Sequence, residues 1–172
     1  MKILSLLVIA FLGLSYSIYD YQVTGTDGSA INLNDFQGKK ILFVNTASNS
    51  KYADQYTNLE QLYQKFKDSL VIIAIPSNDF GNEPLDNDSI KSFVMNTYNI
   101  HYTLAAKTSV AGDSIAPVYK WLTDISLNHI FNNPVHGDFY KFLVDENGNI
   151  IGLFNGSTDP MDINIQNLIQ NQ

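Results

Sequence analysis

Two uninterrupted apolar runs, I-L-F-V at 41–44 and L-V-I-I-A-I at 70–75, bracket a stretch with a helical rhythm. In that stretch Tyr52, Tyr56, Leu59, Leu62, Tyr63 and Phe66 recur at spacings of three and four, the stripe of an amphipathic helix. A strand without polar alternation must be covered on both faces, so the runs predict buried strands over 39–46 and 70–75, the second stopped by Pro76. Segments 139–144 and 150–154 predict two more strands, joined by the turn D-E-N-G-N. Segments 19–23 and 30–33 flank Asp27-Gly28, a hairpin signal. Asp88 or Ser89 can cap a helix through Ile90, Phe93 and Val94, and residues 117–122 read as a further helical turn or helix. Asp159-Pro160 offers an N-cap with proline at the first helical position, ahead of a stripe of Ile163, Leu168 and Ile169. This order is that of an α/β domain, a mixed central sheet flanked by helices on both faces, with an N-terminal β-hairpin.

The first 17 residues have the physics of an export signal. Lys2 is followed by an apolar stretch over 3–14, and Ser15-Tyr16-Ser17 supplies small residues for cleavage. The stretch is shorter than the roughly 20 residues an unassisted membrane span needs. Its removal takes 17 of 172 residues and leaves 155, expected to form one domain over 18–172. Lys2 is its only charge, so the remainder has 9 basic and 17 acidic residues, a net of −8. That balance excludes nucleic acid and anionic membrane surfaces as natural partners. Every basic residue is Lys, and there is no cysteine, hence neither disulfide nor thiol chemistry. His101, His129 and His136 lack metal-ligand spacing, and Trp121 reads as core. No phosphate-cradling glycine loop is present, and no cofactor is expected.

Residues 43–62 read F-V-N-T-A-S-N-S-K-Y-A-D-Q-Y-T-N-L-E-Q-L. This segment resembles V-N-V-A-S-x-C-G-x-T-x-Q-Y-x-x-L of the glutathione peroxidase family. The likeness continues through Asp35-Phe36-x-Gly38-Lys39 and Ile75-Pro76-Ser77-Asn78-Asp79-Phe80-Gly81, which is similar to F-P-C-N-Q-F-G. Glu83-Pro84 follows like the family's Q-E-P with one residue lost. Lys107 to Gly112, Ala116 to Leu122 and Phe139 to Gly148 then resemble K-x-x-V-N-G, P-L-Y-K-x-L and F-x-K-F-L-V-D-x-x-G. The resemblance implies a thioredoxin-like fold for the whole of 18–172. It also implies a monomer, since only a short connection over 123–135 stands where oligomeric relatives carry a longer one.

The resemblance brings four site positions with it. The family's reactive thiolate and the Gln, Trp and Asn around it fall on Ser50, Asp79, Gly137 and Asp138; a small shift in V-H-G-D would put His136 in the Trp position. All four residues differ from the family pattern. A serine hydroxyl is far less acidic than a thiol and has no comparable oxidation ladder. Ser50 is therefore expected to cap the helix beginning near Tyr52. Asp79 and Asp138 replace neutral donors by acceptors and are expected to face the Ser50 pocket. They would be solvated there or, with Ser50, hold a cation such as Ca²⁺. Lys51 could neutralise one of them. A Ser50–His136–Asp138 hydrolase relay lacks a nucleophile elbow. The expectation is a non-catalytic pseudo-peroxidase with a protein or small-molecule ligand. The competing expectations are a family-type peroxide reductase active in oxidative stress, and a metal-binding or hydrolytic Ser/carboxylate site.

Overall fold

The computed structural model describes residues 17–171. All of the candidate export segment but Ser17 lies outside them. Among the described residues seven strands form a small hairpin and a five-stranded sheet, accompanied by five α-helices. Strands β1 (Gln22–Thr24) and β2 (Ala30–Asn32) make the hairpin. Strand β3 (Lys40–Thr46) is buried along its length and lies parallel to β4 (Leu70–Pro76), joined to it through α1 (Gln55–Phe66). On one side of this pair β5 (Thr103–Leu104) runs parallel to β4. On the other, β6 (Lys141–Val144) and β7 (Ile150–Phe154) add antiparallel strands. The sheet order is β5-β4-β3-β6-β7, so it is mixed, as the buried runs and closing hairpin require. This is the thioredoxin-like arrangement.

Both sheet faces are covered, and the period of two sorts the residues between them. Leu42, Val44, Ile72, Ala74 and Leu143 pack under α1, α2 (Asn87–Tyr98) and α5 (Ile163–Gln170). Ile41, Phe43, Ile73, Ile75, Phe142 and Val144 pack under α3 (Pro117–Thr123) and the N-terminal segment through Ile18 and Leu33. Trp121 belongs to this second core, 3% exposed. A short α4 (Ile125–Asn128) follows α3, and no helix among the described residues is long and apolar enough to cross a membrane.

Element ends depart from the sequence expectations for local reasons. The first strand is shorter than 19–23, because Ser17 and Asp20 form a capping box that turns Ile18–Asp20 into a 3-10 helix. The cap of α2 is Asp86, whose carboxylate accepts the Ser89 N–H at 2.8 Å, instead of Asp88 or Ser89. Asp162 caps α5, while Asp159 accepts the Met161 N–H in the turn before it. Helix α1 begins at Gln55, since residues 51–54 form successive three-residue turns: Ala53 N–H bonds Ser50 O, and Gln55 N–H bonds Tyr52 O.

Candidate functional site

The site lies where β3 ends and the chain turns towards α1. The turn is held from below by Glu83, which is fully buried. Its carboxylate accepts the Ser48 N–H and hydroxyl, both at 2.8 Å, and the Leu85 N–H at 3.2 Å. The Asn49 N–H bonds Asn82 O at 3.0 Å, fastening the turn to the loop after β4. The Ser50 hydroxyl then accepts the Tyr52 N–H at 3.3 Å. It caps the turn leading into α1 and sits four residues short of the helix's own cap position, Asp54.

Residues 137–140 form the opposite wall, secured to the last part of β3. Asn45 donates through its side chain to Gly137 O at 2.9 Å, and the Phe139 N–H bonds Asn45 O at 2.6 Å. Phe139 takes φ +60°, a conformation costly for a bulky residue, and its ring is wholly buried. A third wall comes from 155–157. The Gln55 side chain donates to Gly156 O at 2.7 Å, and a Cβ at Gly156 would stand 2.2 Å from Asp138 O, so only glycine permits this approach.

These walls enclose an open cleft of about 590 Å³, a size ordinary for a small-molecule site. Ser50, Lys51, His136, Gly137 and Asp138 line it, with Asn49, Asn82 and Asn155 and the aromatic residues Tyr52, Phe80 and Tyr140. Nothing lies within 4 Å of a Cβ built on Gly137, so that position leaves room where the resemblance implies an indole. Asp138 is 6% exposed; Asn82 donates to one of its oxygens at 2.6 Å, and the other is buried without a partner. Burial pushes the Tyr56 phenol up, and the nearby charges of Glu83 and Asp138 add to the effect. Behind the 137–140 wall, buried Lys141 donates to Phe139 O at 2.8 Å, and desolvation lowers its ammonium to about 7.

Asp79 is the exception to the expected constellation. Its carboxylate turns away from the cleft and accepts the Val110 and Ala111 N–H groups, at 2.6 and 2.9 Å, and the Ser109 hydroxyl at 3.1 Å. An ionised carboxylate can only accept, and two unpaired backbone donors in the 109–111 loop satisfy it better than a cleft already holding Asp138. Two carboxylates therefore do not face Ser50. Asn82, which the motif match does not single out, takes the place beside Asp138; its only sequence signal is that it lies within the loop after the second buried strand. No cluster of three or more His, Asp or Glu fit to hold a metal occurs among the described residues, so the Ca²⁺ arrangement lacks its second carboxylate.

The likeness to known proteins extends well beyond one shared motif. The family model for glutathione peroxidase matches residues 18–123. The chain is 39% identical over 150 residues to a protein of Arabidopsis thaliana named as a probable mitochondrial phospholipid hydroperoxide glutathione peroxidase, covering 86% of this chain and 64% of that one. A Citrus sinensis protein, named as a probable phospholipid hydroperoxide glutathione peroxidase, is 37% identical, with 86% and 89% covered. Among solved structures, the crystal structure of Trgpx in apo form superposes with a TM-score of 0.72 at 30% identity, covering 90% of this chain and 94% of that one. With the likeness running over most of its length, this chain belongs to the glutathione peroxidase family.

Proposed function

We propose that this chain is an exported member of the family that does not reduce peroxides through a thiol and uses its cleft to bind. The observation that carries the reading is Ser50, standing where the family resemblance puts the thiolate, in a chain of 172 residues without a cysteine. Peroxide reduction by this route needs a thiolate that becomes a sulfenic acid and is then re-reduced. A hydroxyl held against the Tyr52 N–H supplies neither step. The opened space at Gly137 supports binding, because it enlarges the cleft beside Ser50. Export rests on Lys2, the apolar 3–14 stretch and the small residues at 15 and 17.

The names of the relatives favour a second reading, that this chain too reduces hydroperoxides. One assay separates the two. Purified protein, chelated to remove metals, is offered hydrogen peroxide and a lipid hydroperoxide with glutathione or thioredoxin as donor. The expected rate equals that of a heat-killed control; reproducible turnover above it would establish the second reading.

A further inference from the structure

We propose that Asn147, in the turn between β6 and β7, is a site of spontaneous deamidation, and that its isoaspartyl product loosens that turn. The inference does not depend on what the cleft binds. The chain holds two Asn-Gly pairs, Asn147-Gly148 and Asn155-Gly156. Glycine leaves its own backbone nitrogen unshielded, which makes this pair the most prone to ring closure. That nitrogen attacks the asparagine side-chain carbonyl carbon. An N–C bond forms, the bond to Nδ2 breaks, and ammonia leaves with the proton from the attacking nitrogen. Water then opens the cyclic imide at either carbonyl, giving aspartate or isoaspartate. Water is the only co-reactant.

The fold separates the two pairs. Asn155 is exposed, but its Oδ1 accepts the Ser157 N–H at 3.0 Å and the hydroxyls of Ser157 and Thr158 at 2.6 and 3.3 Å. Its glycine is pinned as well, with Gly156 O taken by the Gln55 side chain and its Cα against Asp138 O. Turning the Asn155 carbonyl carbon towards Gly156 N would break the three bonds while the backbone has no room to follow. Asn147 is exposed too, and its backbone N–H is engaged, donating to Asp145 Oδ1 at 2.9 Å. Its side-chain amide carries no hydrogen bond among the described residues and turns freely. Gly148 N gives up a single bond, to Asp145 O at 3.1 Å. Fewer bonds broken on the way to the ring means a lower barrier.

The turn is fitted to an ordinary backbone length. The Asp145 N–H bonds Asn149 O at 2.8 Å, Asp145 Oδ1 also accepts the Asn149 N–H at 2.8 Å, and the Tyr19 hydroxyl donates to Glu146 O at 2.9 Å. Gly148 lies against the Tyr19 ring, 2.9 Å from where its Cβ would stand. Isoaspartate adds a methylene to the main chain between 147 and 148, so these contacts cannot all survive. Its new carboxylate also stands next to Glu146 and near Asp145.

The folded chain is incubated at mildly alkaline pH and mapped by peptide mass spectrometry, with an isoaspartyl-specific methyltransferase reporting the isomer. The peptide carrying Asn147 is expected to convert from amide to acid about tenfold or more faster than the one carrying Asn155, a margin that closes in denaturant. Asn147→Ser, a change at an exposed side chain, should abolish the faster phase of ammonia release. The isoaspartyl form, separated by chromatography, is expected to melt about 2–4 °C below the parent. Equal rates at the two sites in the folded chain, or a faster Asn155, would overturn the proposal. So would a folded Asn147 reacting at less than about a tenth of its rate in denaturant, since the turn would then shield it. An isoaspartyl form that melts with the parent would overturn the loosening of the turn.

Discussion

On the proposed reading Ser50 offers a hydroxyl in place of a thiolate, and the surrounding residues decide how much a thiol introduced there could do. Ser50→Cys puts sulfur at the turn before α1, where the Tyr52 N–H that the Ser50 hydroxyl now accepts is placed to favour a thiolate. Asp138 is the carboxylate that shares the cleft with it, and like charge disfavours ionisation. Adding Asp138→Asn to Ser50→Cys should therefore lower the thiol's pKa and speed its alkylation at neutral pH several-fold. Adding Asp79→Gln should leave that rate unchanged, since Asp79 is bound to the 109–111 loop, and should instead lower the melting temperature by about 2 °C or more through lost bonds to two N–H groups. Alkylation rate against pH checks the first two outcomes, and thermal unfolding the third; an Asp79 effect on the thiol equal to that of Asp138 would reverse the geometry described. Lys141 makes a separate prediction. Its folded-state value near 7 lies below its ordinary 10.5, so between those pH values the unfolded chain holds more protons and stability rises with pH. Below pH 7 both states are protonated and the desolvation cost is fully present. Lys141→Met should accordingly gain stability over the parent at pH 6, with an advantage smaller by on the order of 2 kcal/mol at pH 9. Urea unfolding at the two pH values measures this; a constant difference would contradict it.

Among the elements, the turn between β3 and α1 depends most on a single buried group. Glu83 makes three bonds to it and to the following loop from a position without solvent. In Glu83→Gln one accepting oxygen becomes an amide donor facing the Ser48 N–H, a donor against a donor. The expected loss is about 2–3 kcal/mol in chemical unfolding, since the lost bond was charge-assisted and the site is buried. A loss under about 0.5 kcal/mol would mean the turn is held elsewhere. The strands carrying this turn were legible in the sequence, because I-L-F-V and L-V-I-I-A-I leave a buried pair as their natural reading and both align over their full length. Strand β5 was not legible: two half-buried residues, Thr103 and Leu104, carry no period and pair only because β4 presents an open edge. Helix starts were also hidden, since several Asp residues could cap α2 and α5, and backbone direction alone chose Asp86 and Asp162. The site was half legible for a similar reason. A motif match puts Ser50 and Asp138 along the chain, with Gly137 or His136 beside them, but the direction of the Asp79 side chain depends on donors supplied by residues 110 and 111, some thirty positions away.

For the whole molecule, the balance of charge and exposed apolar surface bears on whether copies associate. The large exposed hydrophobic residues among those described are Met95, Ile125, Ile130 and Ile163. They come from α2, from the segment around α4 and from α5, and only Ile125 and Ile130 lie near one another in sequence. A stable self-association buries roughly 800 Å² on each partner with an apolar centre, which scattered single residues do not supply. The acidic balance adds repulsion between copies, since 17 carboxylates face 10 lysines in the full chain and no arginine is present to bridge them by a planar fork. The connection between α3 and β6 is moreover engaged within its own chain. Asn128 donates to Trp121 O and Phe131 O and accepts the Ile130 and Phe131 N–H groups, folding the segment back on α3. The expected species at micromolar concentration is a monomer with the mass of one chain, 19.3 kDa for these 172 residues. Light scattering reads the mass directly, and raising the salt concentration tests the electrostatic part, because screening would weaken the repulsion but leave the lack of an apolar interface. A mass of two chains at both low and high salt would overturn the prediction. Ile125→Ser with Ile130→Ser would then show whether the segment around α4 forms the contact.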